Sequence, residues 1–145
     1  MAADNPLAPL EFLIGAWDTI ITMADGAAAD PTHATDTYAW SANGKFIEHR
    51  VDADLGNGQR VQSLEVISAA SEGHGFASFS FDPNGTVSAF ALALAGHEWT
   101  VDGLEQRFSG RFSADFTRLD GQWEQHLNTS GWEPLMSITL HKRKA

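Results

Sequence analysis

Phe12-Leu13-Ile14-Gly15-Ala16-Trp17 decides the reading of this chain. A Gly-x-Trp at the entry to a first strand, directly after a stretch only long enough for one helical turn, points to a small antiparallel barrel closed at one end and hollow inside. Upstream, Leu7, Leu10, Phe12, Leu13 and Ile14 with prolines at Pro6 and Pro9 predict a short helical plug over residues Pro6 to Ile14, packed across a barrel end. Downstream, alternating and β-branched stretches recur between turn signals: Trp17–Met23, Ala34–Ser41, Lys45–Ala53, Arg60–Ala69, His74–Phe81, Thr86–Leu94, Glu98–Val101, Glu105–Ser113, Gln122–Leu127 and Trp132–Lys142. That predicts about ten strands. The fold class is therefore all-β, a single antiparallel β-barrel domain over residues 1–145.

The turns set register. Asn43-Gly44 is a favoured pair for a two-residue hairpin, because both positions need positive φ. It pairs Ala42 with Lys45, Trp40 with Ile47, Tyr38 with His49 and Asp36 with Val51. One face then carries Tyr38, Trp40, Ile47, His49 and Val51 and should point inward, while Glu48 and Arg50 face out as a surface charge pair. Asp82-Pro83-Asn84-Gly85 reads as a type I turn closed by a glycine bulge, with Ala77, Phe79, Phe81, Val87, Ala89 and Ala91 sharing a face. Asp54-Leu55-Gly56-Asn57-Gly58 reads as a looser connection. In the last strand, Trp132, Met136, Ile138 and Leu140 alternate on one side.

A formal net charge of −10 disfavours nucleic acid and anionic membranes as partners. Lys142-Arg143-Lys144 reads as a solvated tail. With no cysteine, disulfides and thiolate metal sites are excluded. The N-terminal residues lack a basic region leading into an apolar run, and no segment approaches a membrane span, so the expected location is cytoplasmic.

Four stretches carry a resemblance: Leu13-Ile14-Gly15-Ala16-Trp17, then Tyr38-Ala39-Trp40 with Gly44-Lys45-Phe46-Ile47, then Leu119-Asp120-Gly121-Gln122-Trp123-Glu124, and finally Trp132-Glu133 before an alternating last strand. The chain resembles the calycin-like barrels, also described as lipocalin-like, and within them a bacterial family of unknown function distantly related to nitrobindin and fatty-acid-binding-protein-like proteins. The resemblance implies that Trp17 closes the barrel base, with Arg143 after the last strand packed across it. It also implies that haem, bound in nitrobindin-type proteins through a last-strand histidine after a glycine-rich start, is disfavoured. Here Trp17 is followed by Asp18-Thr19-Ile20, and the last strand offers only His141. No cofactor is expected.

His33, His49, His74, His97, His126 and His141 stand singly, without the spacing that puts two metal ligands on one face, so no metal is expected. His49 is the histidine with a candidate role, because the register sets it opposite Tyr38 on the apolar face. Tyr38, His49 and Asp36 form a candidate catalytic set for general acid-base chemistry such as enolisation, cyclisation or double-bond migration, and equally a satisfied core pair. Trp17, Trp40, Phe79 and Trp123 are candidate ligand contacts as inward aromatics, with Gln125 and Gln62 as polar ones.

The leading function is binding of a small hydrophobic organic ligand in the lumen. A cyclase or isomerase working in the same lumen is the rival, and a filled barrel serving interaction or homodimer formation is a third reading. A continuous cavity separates the first two from the third.

Overall fold

The computed structural model describes residues 5–24, 31–41, 43–71, 75–127 and 131–144. Ten strands follow a 3-10 helix (Ala8–Leu13): β1 (Gly15–Met23), β2 (Thr32–Trp40), β3 (Ile47–Gly56), β4 (Gln59–Ala69), β5 (Phe76–Phe81), β6 (Val87–Ala95), β7 (Glu98–Asp102), β8 (Gln106–Phe112), β9 (Arg118–Leu127) and β10 (Gly131–Lys142). Each strand pairs antiparallel with its neighbour in sequence, and β10 returns to β1, closing the barrel without a free edge. Every expected strand is present. His74, expected to start the fifth, lies outside the described residues.

The plug works because a 3-10 helix repeats every three residues, which puts Leu7, Leu10 and Leu13 on one face. All three are buried at the barrel base against Trp17. The Trp17 indole N–H donates to the Leu13 carbonyl at 2.9 Å, fixing the plug to the first strand. The basic group over Trp17 is Lys142 rather than Arg143. Lys142 is the cross-strand partner of Trp17, holds its ammonium 5.8 Å from the indole and donates to the Phe12 carbonyl at 2.6 Å. Arg143 instead pairs with Asp18 at 2.7 Å on the outside.

The expected register of β2 on β3 holds, with Tyr38 opposite His49 and Asp36 opposite Val51, but its turn is different. Of Asn43 and Gly44 only Gly44 has positive φ (70°), and Ser41 bonds Phe46 across a four-residue loop. Lengthening a symmetric loop by one residue on each side leaves every pair unchanged, so the faces survive. Ala42, expected to pair with Lys45, lies outside the described residues. The two-residue loop with both positions at positive φ is instead Asn57-Gly58 (54° and 74°), joining β3 to β4.

On β5 and β6 the turn is as expected, with Gly85 at φ 86° and Asp82 bonded to Thr86, but the face is reversed. Phe79, Val87 and Ala89 point outward, while Phe76, Ser78, Phe90 and Leu92 turn toward the core. In β10 a bulge between Pro134 and Met136 flips the alternation. Trp132 therefore stacks under the Arg107 guanidinium at 4.1 Å on the outer surface, while Met136, Ile138 and Leu140 face the lumen.

Gly110 and Gly121 oppose each other on β8 and β9, with the Phe108 ring lying over both. A Cβ at Gly121 would strike the Phe108 ring and stand 2.6 Å from the Ser109 carbonyl oxygen. Gly121→Ala should therefore cost about 1–3 kcal/mol, as overpacking does, measured by urea unfolding.

Candidate functional site

Above the plug the barrel holds a cavity of about 380 Å³. The lumen is not packed solid, so the filled-barrel reading does not fit it. One wall is apolar, built from Phe108 of β8, Leu119 and Trp123 of β9, and Met136, Ile138 and Leu140 of β10. The opposite wall is polar, and the register explains it: Tyr38, His49, Glu65, Ser80 and Ser88 oppose one another in turn across β2 to β6.

At the centre of that wall sits a charged cluster. The His49 Nε2–H donates to Asp36 Oδ2 at 2.6 Å, and its Nδ1–H donates to Glu65 Oε1 at 2.7 Å. The Thr19 hydroxyl from β1 donates to the other Asp36 oxygen at 2.6 Å. Two carboxylates can each accept from the ring only if both nitrogens carry protons, so His49 is an imidazolium. Burial opposes that charge, but the hydrogen bonds and negative charges of Asp36 and Glu65 outweigh it and raise the pKa from 6.5 to about 9. The Tyr38 ring stacks on the imidazolium, 4.0 Å between centroids and 9° from parallel. Burial, then the charges of Asp36 and Glu65, push the Tyr38 hydroxyl well above its usual pKa, so the phenol stays neutral.

This geometry ties stability to pH. The folded barrel keeps the His49 proton up to about pH 9, whereas the unfolded chain releases it around the ordinary value of 6.5. The resulting stabilisation is complete below about pH 6.5 and disappears as pH rises through about 9, amounting to roughly 3 kcal/mol. Urea midpoints across that window should fall with rising pH in the parent protein and flatten in His49→Gln.

Of the expected site residues, Tyr38, His49, Asp36 and Trp123 line the cavity. Trp17 lies below it in the base, and Trp40 is half-buried against the core. Phe79 is 57% exposed on the outer face. Gln125 does not line the cavity; its cross-strand partner Gln106 does. Gln62 is exposed, pairing with Asp52 on the outer side, and Glu48 and Arg50 form a surface pair at 3.0 Å. Glu65, Thr19 and the lumen serines are functional candidates that alternation alone does not reveal. His49 is the only histidine lining the cavity among the described residues; His141 and His126 are exposed. Among the described residues, no three His, Cys, Asp or Glu side chains form a group that could hold a metal.

No protein-family model matches the sequence, and no curated protein matches it. Solved structures do. Rv2717c from M. tuberculosis superposes with a TM-score of 0.71 at 12% identity, covering 99% of each chain. The S-type phycobiliprotein lyase CPES from Guillardia theta gives a TM-score of 0.57 at 10% identity, over 94% of this chain and 91% of that one. The fold is that of the calycin-like barrels. A third calycin-like structure, zebrafish ileal bile acid-binding protein complexed with cholic acid, gives 0.51 at 11% identity over 91% of this chain and 99% of that one. At these identities the likeness speaks for the barrel and not for its contents.

Proposed function

We propose that this barrel binds a small, largely hydrophobic organic molecule in its lumen. The carrying observation is the cavity of about 380 Å³, with an aromatic and aliphatic wall facing a polar one, a size and lining suited to a small organic ligand. A similar barrel complexed with cholic acid supports the reading in a general way. The acid-base alternative is weaker, because both His49 nitrogens already donate to carboxylates and neither is free to exchange a proton with a ligand.

The neutral reporter N-phenyl-1-naphthylamine should bind with a saturable, blue-shifted fluorescence rise. Ser88→Trp, which puts a bulky ring at a solvent-accessible lining position, should abolish the signal, while Phe79→Ala on the outer face should not. The reverse pattern would place binding on the exterior and end the proposal. Tyr38→Phe should leave the barrel folded and weaken binding of a hydroxyl-bearing ligand such as 1-decanol about 3- to 10-fold, the size of one lost hydrogen bond. Competition against the reporter measures it.

A further inference from the structure

We propose that the lumen sorts amphiphiles by head group, taking a protonated amine in preference to a carboxylate on the same chain. The inference rests on the lumen-binding reading and adds the chemical class of the ligand. The cavity is built for a molecule with two unlike sides: Leu119, Trp123, Met136, Ile138 and Leu140 would hold an alkyl or aryl body against β9 and β10. The polar end would then meet β2 to β4, where Asp36, His49 and Glu65 are clustered.

The charges there are unbalanced. Asp36 and Glu65 stand in the wall and Asp82 is a third lining carboxylate, whereas no lysine or arginine lines the cavity among the described residues. The arginines are engaged outside, Arg50 with Glu48, Arg60 with Asp52, Arg107 with Glu124, Arg111 with Glu98, Arg118 with Asp120 and Arg143 with Asp18. Lys142 is held at the plug. The one lumen cation, the His49 imidazolium, has both N–H groups committed to Asp36 and Glu65. A ligand carboxylate would thus be stripped of water beside Glu65 with no cation to meet it, which is costly.

An ammonium meets the opposite situation. Glu65 accepts from His49 through one oxygen only, and its second oxygen takes no hydrogen bond within the described residues. The Tyr38 hydroxyl has no partner within them either, and it lines the same cavity. Those two oxygens come from the strands on either side of His49, β2 and β4, and each can accept from an N–H donor. Asp36 is less available, since Thr19 and His49 already engage both its oxygens.

The test is displacement of N-phenyl-1-naphthylamine near neutral pH by decylamine, 1-decanol and decanoate, which share a chain and differ in head group. Decylamine should half-displace the reporter at a concentration at least about tenfold below decanoate, with 1-decanol between them. Glu65→Gln should narrow the amine-to-carboxylate ratio about tenfold, and saturable binding of the reporter itself to that variant shows that the lumen is intact. Should that variant fail to fold, Asp82→Asn should narrow the ratio in the same direction. Decanoate competing as well as decylamine, or a ratio unmoved by both substitutions, would overturn the head-group inference and leave lumen binding standing. Failure of all three to displace a bound reporter would overturn lumen binding, and this inference with it.

Discussion

Replacing His49 with alanine should destabilise the barrel by about 3–5 kcal/mol, the range for breaking a buried ionic group by removing one partner. The side chains involved are largely withdrawn from water, with His49 13%, Asp36 8% and Glu65 17% exposed. Without the imidazolium, Asp36 and Glu65 face each other across the site of the lost ring with nothing to neutralise them. The loss should therefore be reversed in part by neutralising the carboxylates, so His49→Ala with Asp36→Asn and Glu65→Gln should be more stable than His49→Ala alone. Urea unfolding of the set measures this. A loss below about 1 kcal/mol, or no recovery in the triple variant, would mean that the three side chains are not coupled as a charged cluster.

Trp17→Ala should cost a similar amount, about 3–5 kcal/mol, for a different reason. The indole is almost fully buried, bonds the Leu13 carbonyl, and packs edge-on to Tyr38 at 6.5 Å and against Phe112 at 6.4 Å. Its removal opens a cavity beneath the plug and frees the 3-10 helix from β1. Because Trp17 lies below the lumen, the variant should still bind N-phenyl-1-naphthylamine at temperatures where it remains folded. An unchanged melting temperature would show that the plug is not anchored by this residue.

The barrel was legible in the sequence because the strands carry period-two patterns between strong turn signals. The His49 site was half legible. Tyr38 could be set opposite His49 because the loop around Asn43-Gly44 is symmetric, so an error in its length did not disturb the pairs.

Glu65 was hidden by a bulge. The Asn57-Gly58 turn pairs Gly56 with Gln59, and continuing that register would set Val66 opposite His49 and turn Glu65 outward. The extra residue at Leu55, beside Gly56 at φ 85°, shifts the pairing by one and brings Glu65 to His49. A second bulge beyond Pro134 hid the outward turn of Trp132.

Phe79 misled for another reason. Strand β5 carries phenylalanines on both faces, and the face with Ser78 and Ser80 looks like the solvated one until the lumen is known to have a polar wall. Amphipathic alternation identifies a buried face only when the inside is apolar throughout.

The five tryptophans offer a direct test of lumen binding, since their indole N–H signals are resolved reporters. Trp99 and Trp123 line the cavity, Trp17 lies beneath it, and Trp132 sits on the outer surface under Arg107. Titrating the nitrogen-15-labelled protein with 1-decanol should shift the Trp99 and Trp123 indole signals in a saturable way and leave Trp132 in place. Shifts confined to Trp132, or no saturable shift at either lining tryptophan, would contradict a ligand in the lumen.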